Sequence, residues 1–142
     1  MEPLTKAKED YLEAILMIRN EKGHCLSVDI SHKLGVSKPS VSVAVKSLES
    51  SGHLYRSDND IRLTTTGRSI AENILDRHML LTEILSGIGV SLQTAEHDAC
   101  LIEHHLSEET YNRIKTCWNG TKATGRRNPR PKTKKRPCSL PR

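Results

Sequence analysis

Apolar residues recur along this chain at two periods. From Thr5 to Asn20, the residues Tyr11, Leu12, Ile15, Leu16 and Ile18 form a wide stripe at helical spacing. Thr5 stands where a cap belongs, and Glu21–Lys22–Gly23 closes the run. The stretch Ser27–Gly52 repeats the helical pattern twice. Val28, Ile30 and Leu34 give a short helix an apolar face, and Gly35–Val36 breaks it. Ser37 then occupies an N-cap position, with Pro39 in the first turn, where a missing N–H is harmless. Val41, Val45 and Leu48 follow at i, i+4 and i+7, which predicts a second helix over residues 38–50 with one buried face.

After Gly52 the period changes to two. Leu54–Arg56 and Ile61–Leu63 alternate apolar and polar around Ser57–Asp58–Asn59–Asp60, a sequence of turn formers, and predict a β-hairpin. Thr64 or Thr65 then caps a long helix through Ile70, Ile74, Leu75, His78, Leu81 and Leu85 that Gly87 and Gly89 end. Ser91 starts another helix, LQTAEHDACLIEHHL, and Ser107 with Glu108 and Glu109 starts a last one reaching about Cys117. Helix, helix-turn-helix and hairpin in this order make a winged helix. The long helix after it exceeds what such a domain needs and points to a dimerisation unit. The expected class is therefore mainly α with a small β-hairpin wing. The expected domains are a winged helix-turn-helix over residues 1–64, a helical metal-binding and dimerisation domain over 65–118, and a basic, disordered tail over 119–142.

The outer face of the 38–50 helix is small or basic: Lys38, Ser40, Ser42, Val43 and Lys46. Such a face enters the major groove of double-stranded DNA without obstruction. The expected contacts are Ser37, Lys38, Pro39, Ser40, Ser42, Val43 and Lys46, joined by Arg56 and Arg62 flanking the hairpin tip. This helix contains no Arg, Asn or Gln, so base reading rests on small polar contacts and packing on thymine methyls, beside many phosphate contacts.

Composition refines this picture. The chain has 142 residues, of which 35% are hydrophobic, and no Phe. A core this modest implies completion by a partner subunit. No apolar run reaches membrane-spanning length and the N-terminus lacks a signal-peptide layout, so the expectation is a cytoplasmic protein with no membrane partner. Cys25, Cys100, Cys117 and Cys138 show no disulfide-scaffold spacing. The formal net charge of +5 hides a division: no Asp or Glu follows Glu109, while eleven Lys and Arg lie from Arg113 onward. Residues 1–112 carry eleven basic against seventeen acidic residues, a net of −6. An acidic body on a DNA-binding protein needs a reason for its carboxylates.

Two constellations offer one. Asp10 and Glu13 share a face of the first helix at i and i+3; alone, they read first as a solvated acidic face. Cys100, Glu103 and His104, at i, i+3 and i+4, bring thiolate, carboxylate and imidazole to one face of the Ser91 helix, beside an apolar face of Leu92, Ala95, Ala99, Ile102 and Leu106. That set holds a divalent ion, though a helix surface with a buried Cys accounts for it equally well.

The segments KEDYLEAIL, SKPSVS, LTTTGRSIAENILDRHMLLTEIL and DACLIEHHLSEET, in this order, closely resemble the diphtheria-toxin-repressor family of metal-dependent transcription regulators, over roughly residues 5–117. The resemblance implies a homodimeric winged-helix repressor that binds operator DNA with divalent metal as co-repressor. By position it implies the metal ligands Asp10, Glu13, His78, Cys100, Glu103 and His104. Asp10 matches the manganese branch, while Cys100 matches the iron branch. The family's carboxylate one turn after the linker histidine is Thr82 here, with Glu83 one residue out of register and Glu96 as a substitute donor. The larger members' C-terminal SH3-like domain is not expected. Carboxylates and imidazole suit Mn²⁺ or Fe²⁺, and the thiolate admits Zn²⁺ or Co²⁺ in vitro. Without a cation these ligands repel one another; the ion is expected to tie the two halves together and set the spacing of the recognition helices. A metal-independent winged-helix regulator answering to a small molecule is the alternative. A metal hydrolase is disfavoured, because no motif supplies a positioned base or an anion hole, and no enzyme activity is expected.

Overall fold

A computed structural model of the chain describes residues 3–123. The expected tail beyond, including Cys138, lies outside the described residues. The described chain forms six helices and one hairpin: α1 (Lys6–Lys22), α2 (Ser27–Leu34), α3 (Lys38–Ser50), β1 (Leu54–Ser57), β2 (Asp60–Leu63), α4 (Thr65–Gly87), α5 (Leu92–Ile102) and α6 (Glu108–Ala123). It divides into two compact units within α4, between Met79 and Leu80.

In the first unit each boundary has a local cause. The Thr5 hydroxyl accepts from the Lys8 amide at 3.4 Å and starts α1. Gly23, at φ 78°, ends it in the left-handed conformation that glycine adopts without strain. The turn between α2 and α3 is made the same way by Gly35, at φ 64°. Asp29 accepts from the Leu26 amide at 3.0 Å and from Lys22 Nζ at 2.7 Å, fixing the start of α2. Ser37 caps α3 by accepting from the Ser40 amide at 3.3 Å. The hairpin pairs antiparallel from Leu54↔Leu63 to Ser57↔Asp60, around a two-residue turn in which Asp58 takes φ 57°.

Leu12, Ile15, Leu16 and Ile18 of α1 pack with Ile30, with Val41, Val45 and Leu48 of α3, with Leu54 and Ile61 of the hairpin, and with Cys25 and Ala71. The buried face of α3 is the expected one. Val28, expected on the inner face of α2, is 38% exposed. It lies two residues before the buried Ile30, about 200° around the helix, so the two cannot face the same way.

The second unit comprises the end of α4 with α5 and α6. Ala95, Ala99, Leu81 and Tyr111 are buried. Leu92 and Ile102 were expected on the inner face of α5 but are 61% and 37% exposed, since they stand at its two ends, where the buried stripe runs out. The Trp118 ring lies against Gly87, and Lys122 pairs with Glu83 while lying 5.9 Å above the Trp118 ring. Residues 119–123, expected to begin the tail, are instead the last turn of α6. Among the described residues, no helix is long and apolar enough to cross a membrane.

Candidate metal centre and nucleic-acid interface

The face of α3 turned away from the core presents Lys38, Ser40, Ser42, Val43 and Lys46, all exposed, with Val43 at 70%. The Ser37 and Ser40 hydroxyls lie 2.9 Å apart and share a hydrogen bond. Pro39, Ser40 and Val43 form one wall of a groove of about 530 Å³, and Thr5, Lys8 and Tyr11 of the α1 side form the other. Lys8 thus stands beside the expected recognition surface, a neighbour that the pattern of α3 alone could not disclose. On the hairpin, both candidate arginines carry internal partners. Arg56 donates to Glu49 Oε2 at 3.0 Å, and Arg62 donates to Asp60 Oδ2 at 2.9 Å. A phosphate approaching either must compete with a carboxylate.

The candidate ligands divide between the two units. On α1, Asp10 and Glu13 offer carboxylate oxygens within 4.8 Å of each other. Glu13 is buried, and Asp10 is reached by Lys6 Nζ at 3.1 Å. The solvated acidic face is therefore not what forms. The cause is geometric: Glu13 lies in the same turn as the core residues Leu12 and Ile15, on the rim of their stripe.

In the second unit α5 runs to Ile102 and Glu103 caps it with helical backbone, its amide donating to the Ala99 carbonyl at 2.9 Å, so Cys100 and Glu103 keep the expected register while His104 falls in the turn that follows. Cys100 lies in the last turn of α5, and in the turn after the helix the His105 amide donates to the Ile102 carbonyl at 2.9 Å. No Gly or Pro marks this break. Glu103 and His104 are fully buried side chains, with Oε1 and Nε2 3.2 Å apart, an ion-pair approach without hydrogen-bond geometry. Their donor atoms also lie within 4.8 Å of one another. The thiol of Cys100, which is half-buried, and the imidazole of His78 fall outside the sets of donor atoms that close to this distance.

The substitutes fare worse. The Glu83 carboxylate is held below its ordinary range by Lys122, its ion-pair partner. Glu96 is exposed. Each pair by itself, two carboxylates in the first unit and a carboxylate with an imidazole in the second, offers the oxygen and nitrogen donors that suit Mn²⁺ or Fe²⁺. The residues present fit such an ion.

Sequence reasoning missed one polar junction. Asp60, read only as a turn former, binds Arg19, the Cys25 amide and Arg62. Those partners lie up to 41 residues away, and no local pattern announces them.

Comparison with known proteins agrees with this architecture. Residues 3–58 match the family model described as iron dependent repressor, N-terminal DNA binding domain. Residues 64–132 match the one described as iron dependent repressor, metal binding and dimerisation domain. The chain is 37% identical over 111 residues to the HTH-type transcriptional regulator MntR of Geobacillus thermodenitrificans, covering 78% of this chain and 79% of that one. Among solved structures, T. acidophilum IdeR superposes with a TM-score of 0.70 at 27% identity over 84% of this chain. The manganese regulator SloR does so with 0.69 at 25% identity, also over 84%. The chain spans about half the length of these two, 56% and 55%. With a winged helix in its first unit and paired carboxylate and imidazole donors beyond it, the chain belongs to the iron- and manganese-dependent repressor family, that of the diphtheria-toxin repressor, and is a metal-dependent transcriptional regulator.

Proposed function

We propose that the chain represses transcription in the cytoplasm as a homodimer on operator DNA, and that one divalent ion, Mn²⁺ or Fe²⁺, takes ligands from both units. Asp10 and Glu13 are its ligands on α1, and Glu103 and His104 are its ligands in the second unit. His78 and Cys100 complete the set by side-chain adjustment, with Cys100 favouring softer metals. The observation that carries this reading is that each unit presents its own close donor pair, and each pair contains a buried carboxylate. Burying carboxylates is costly through desolvation and repulsion, and a cation offsets both.

When bound, the ion supplies positive charge and a bond to each half of the molecule. The residues do the rest. Tyr11, Leu12 and Ile15 hold α1 in the core, so the positions of Asp10 and Glu13 report the position of the whole DNA-binding unit. Ser37, Lys38, Pro39, Ser40, Ser42, Val43 and Lys46 then meet the major groove, with Arg56 and Arg62 on flanking phosphates. Two recognition helices must match half-sites about one helical turn apart, ~34 Å or a multiple. Fixing the halves favours that arrangement by population shift.

Calorimetric titration tests the ligand set. Glu103→Gln should weaken Mn²⁺ binding at least about tenfold. Cys100→Ser should leave Mn²⁺ affinity within about threefold, yet remove the thiolate-to-metal absorption of the Co²⁺-loaded protein. Unchanged Mn²⁺ binding by a folded Glu103→Gln protein would contradict the assignment.

A further inference from the structure

The Asp60 carboxylate joins three separate segments. Its Oδ1 accepts from Arg19 Nη1 at 2.7 Å and from the Cys25 amide at 2.9 Å, and its Oδ2 accepts from Arg62 Nε at 2.9 Å. Arg19 Nη1 also donates to the Ile61 carbonyl at 3.1 Å, and the Ile61 amide donates to the Cys25 carbonyl at 2.8 Å. The first two residues of β2 are thus fastened to the last turn of α1 and to the segment entering α2. The side chains of Arg19 and Asp60 are 24% and 19% exposed, shielded enough for the pair to hold its geometry. The other strand is tied to α3 by Arg56 and Glu49, each 39% exposed, through a single carboxylate oxygen. The hairpin is therefore tied to α1 and to the segment before α2 through β2, and to α3 through β1.

We propose that Asp60 is the positioning residue of the wing: by fastening β2 to α1 and orienting the Arg62 guanidinium, it fixes where the wing's cation meets the duplex. The proposal rests on the DNA-binding reading above. Released from its carboxylate and left with only the cross-strand Tyr55 side chain beside it, the long arginine still finds phosphate, but no longer at one place. Losing Asp60 should therefore cost sequence preference and spare nonspecific affinity, which follows net charge.

The test uses the full-length Mn²⁺-loaded protein, a duplex enriched by the wild type from a randomised pool, and a scrambled duplex of equal composition. Asp60→Ala should lose about tenfold in affinity for the enriched duplex, the scale of one lost base-pair contact, with no loss on the scrambled one. Mn²⁺ affinity should be unchanged. Asp60→Asn keeps an acceptor for the Cys25 amide but no charge for the two guanidiniums, and should fall between. In a double-mutant cycle, Arg62→Ala should weaken the wild type but change little in the Asp60→Ala background. A folded Asp60→Ala protein that keeps the enriched-to-scrambled ratio, or an additive cycle, would overturn the proposal. If Asp60→Ala does not fold, Asp60→Asn and Arg19→Gln decide on the same ratio. A wild type that enriches no duplex would overturn the DNA-binding reading and this proposal together; an enriching wild type with indifferent variants would overturn only the role of Asp60.

Discussion

Glu13 and Cys25 show how the fold sorts side chains of similar chemical promise. Glu13 is buried on the rim of a core stripe, with Asp10 one turn before it and their carboxylate oxygens within 4.8 Å. Cys25 is buried within the core itself, and the protein takes it out of play. Desolvation, reinforced by the Asp29 carboxylate, pushes its thiol up from 9.0 to about 12. A rise of that size lowers the thiolate fraction at neutral pH about a thousandfold. Cys25 should therefore resist iodoacetamide in the native protein and react at an ordinary rate in urea, at least about a hundredfold faster, as read from its tryptic peptide. Equal labelling rates in the two conditions would show that Cys25 is neither buried nor inert.

At the level of elements, α1, α3 and the start of α4 were legible because each carries both a periodic face and a side-chain cap, whereas α2 was read from its breaking glycine, Gly35. Thr5, Ser37 and Thr64 cap as their sequence positions predict; Thr64 Oγ1 accepts from the Gly67 amide at 3.1 Å. The hairpin was legible from its alternation and its turn residues. The end of α5 was not, because no breaker separates Ile102 from Glu103; the turn there depends on where two buried polar side chains go. The donor pairs were visible in spacing, but their division between helix and turn was not. Gly67 was likewise silent. It sits in the first turn of α4 with ordinary helical backbone, so space and not conformation requires it: a methyl group there would overlap the His53 carbonyl. Alanine would gain about 1 kcal/mol in helix propensity. The clash is with backbone, which cannot swing aside, and overpacking of this kind costs about 3 kcal/mol. Gly67→Ala should accordingly destabilise the first unit by about 2 kcal/mol in denaturant unfolding. A neutral or stabilised variant would show that α4 does not abut the backbone at His53.

For the whole molecule, the charge distribution gains a purpose. Residues 1–112 carry a net charge of −6, yet α3 turns Lys38 and Lys46 outward and the wing carries Arg56 and Arg62. Part of the acidic excess serves the protein's own structure, Asp60 and Glu49 as anchors of the wing and the buried Glu13 and Glu103 as candidate ligands. Removal of Asp10 tests whether those ligands couple the halves, because α1 stays in the core through Tyr11, Leu12, Ile15 and Leu16, and alanine is the better helix former. Fluorescence anisotropy of an enriched duplex, titrated with Mn²⁺ and then with chelator, reads the coupling directly. For the wild type, Mn²⁺ should tighten DNA binding by about 1–3 kcal/mol, reversed by chelator, whereas Asp10→Ala should retain some Mn²⁺ binding through Glu103 and His104 but lose most of that gain. A wild type indifferent to Mn²⁺ and chelator, or an Asp10→Ala protein that keeps the full gain, would contradict the account.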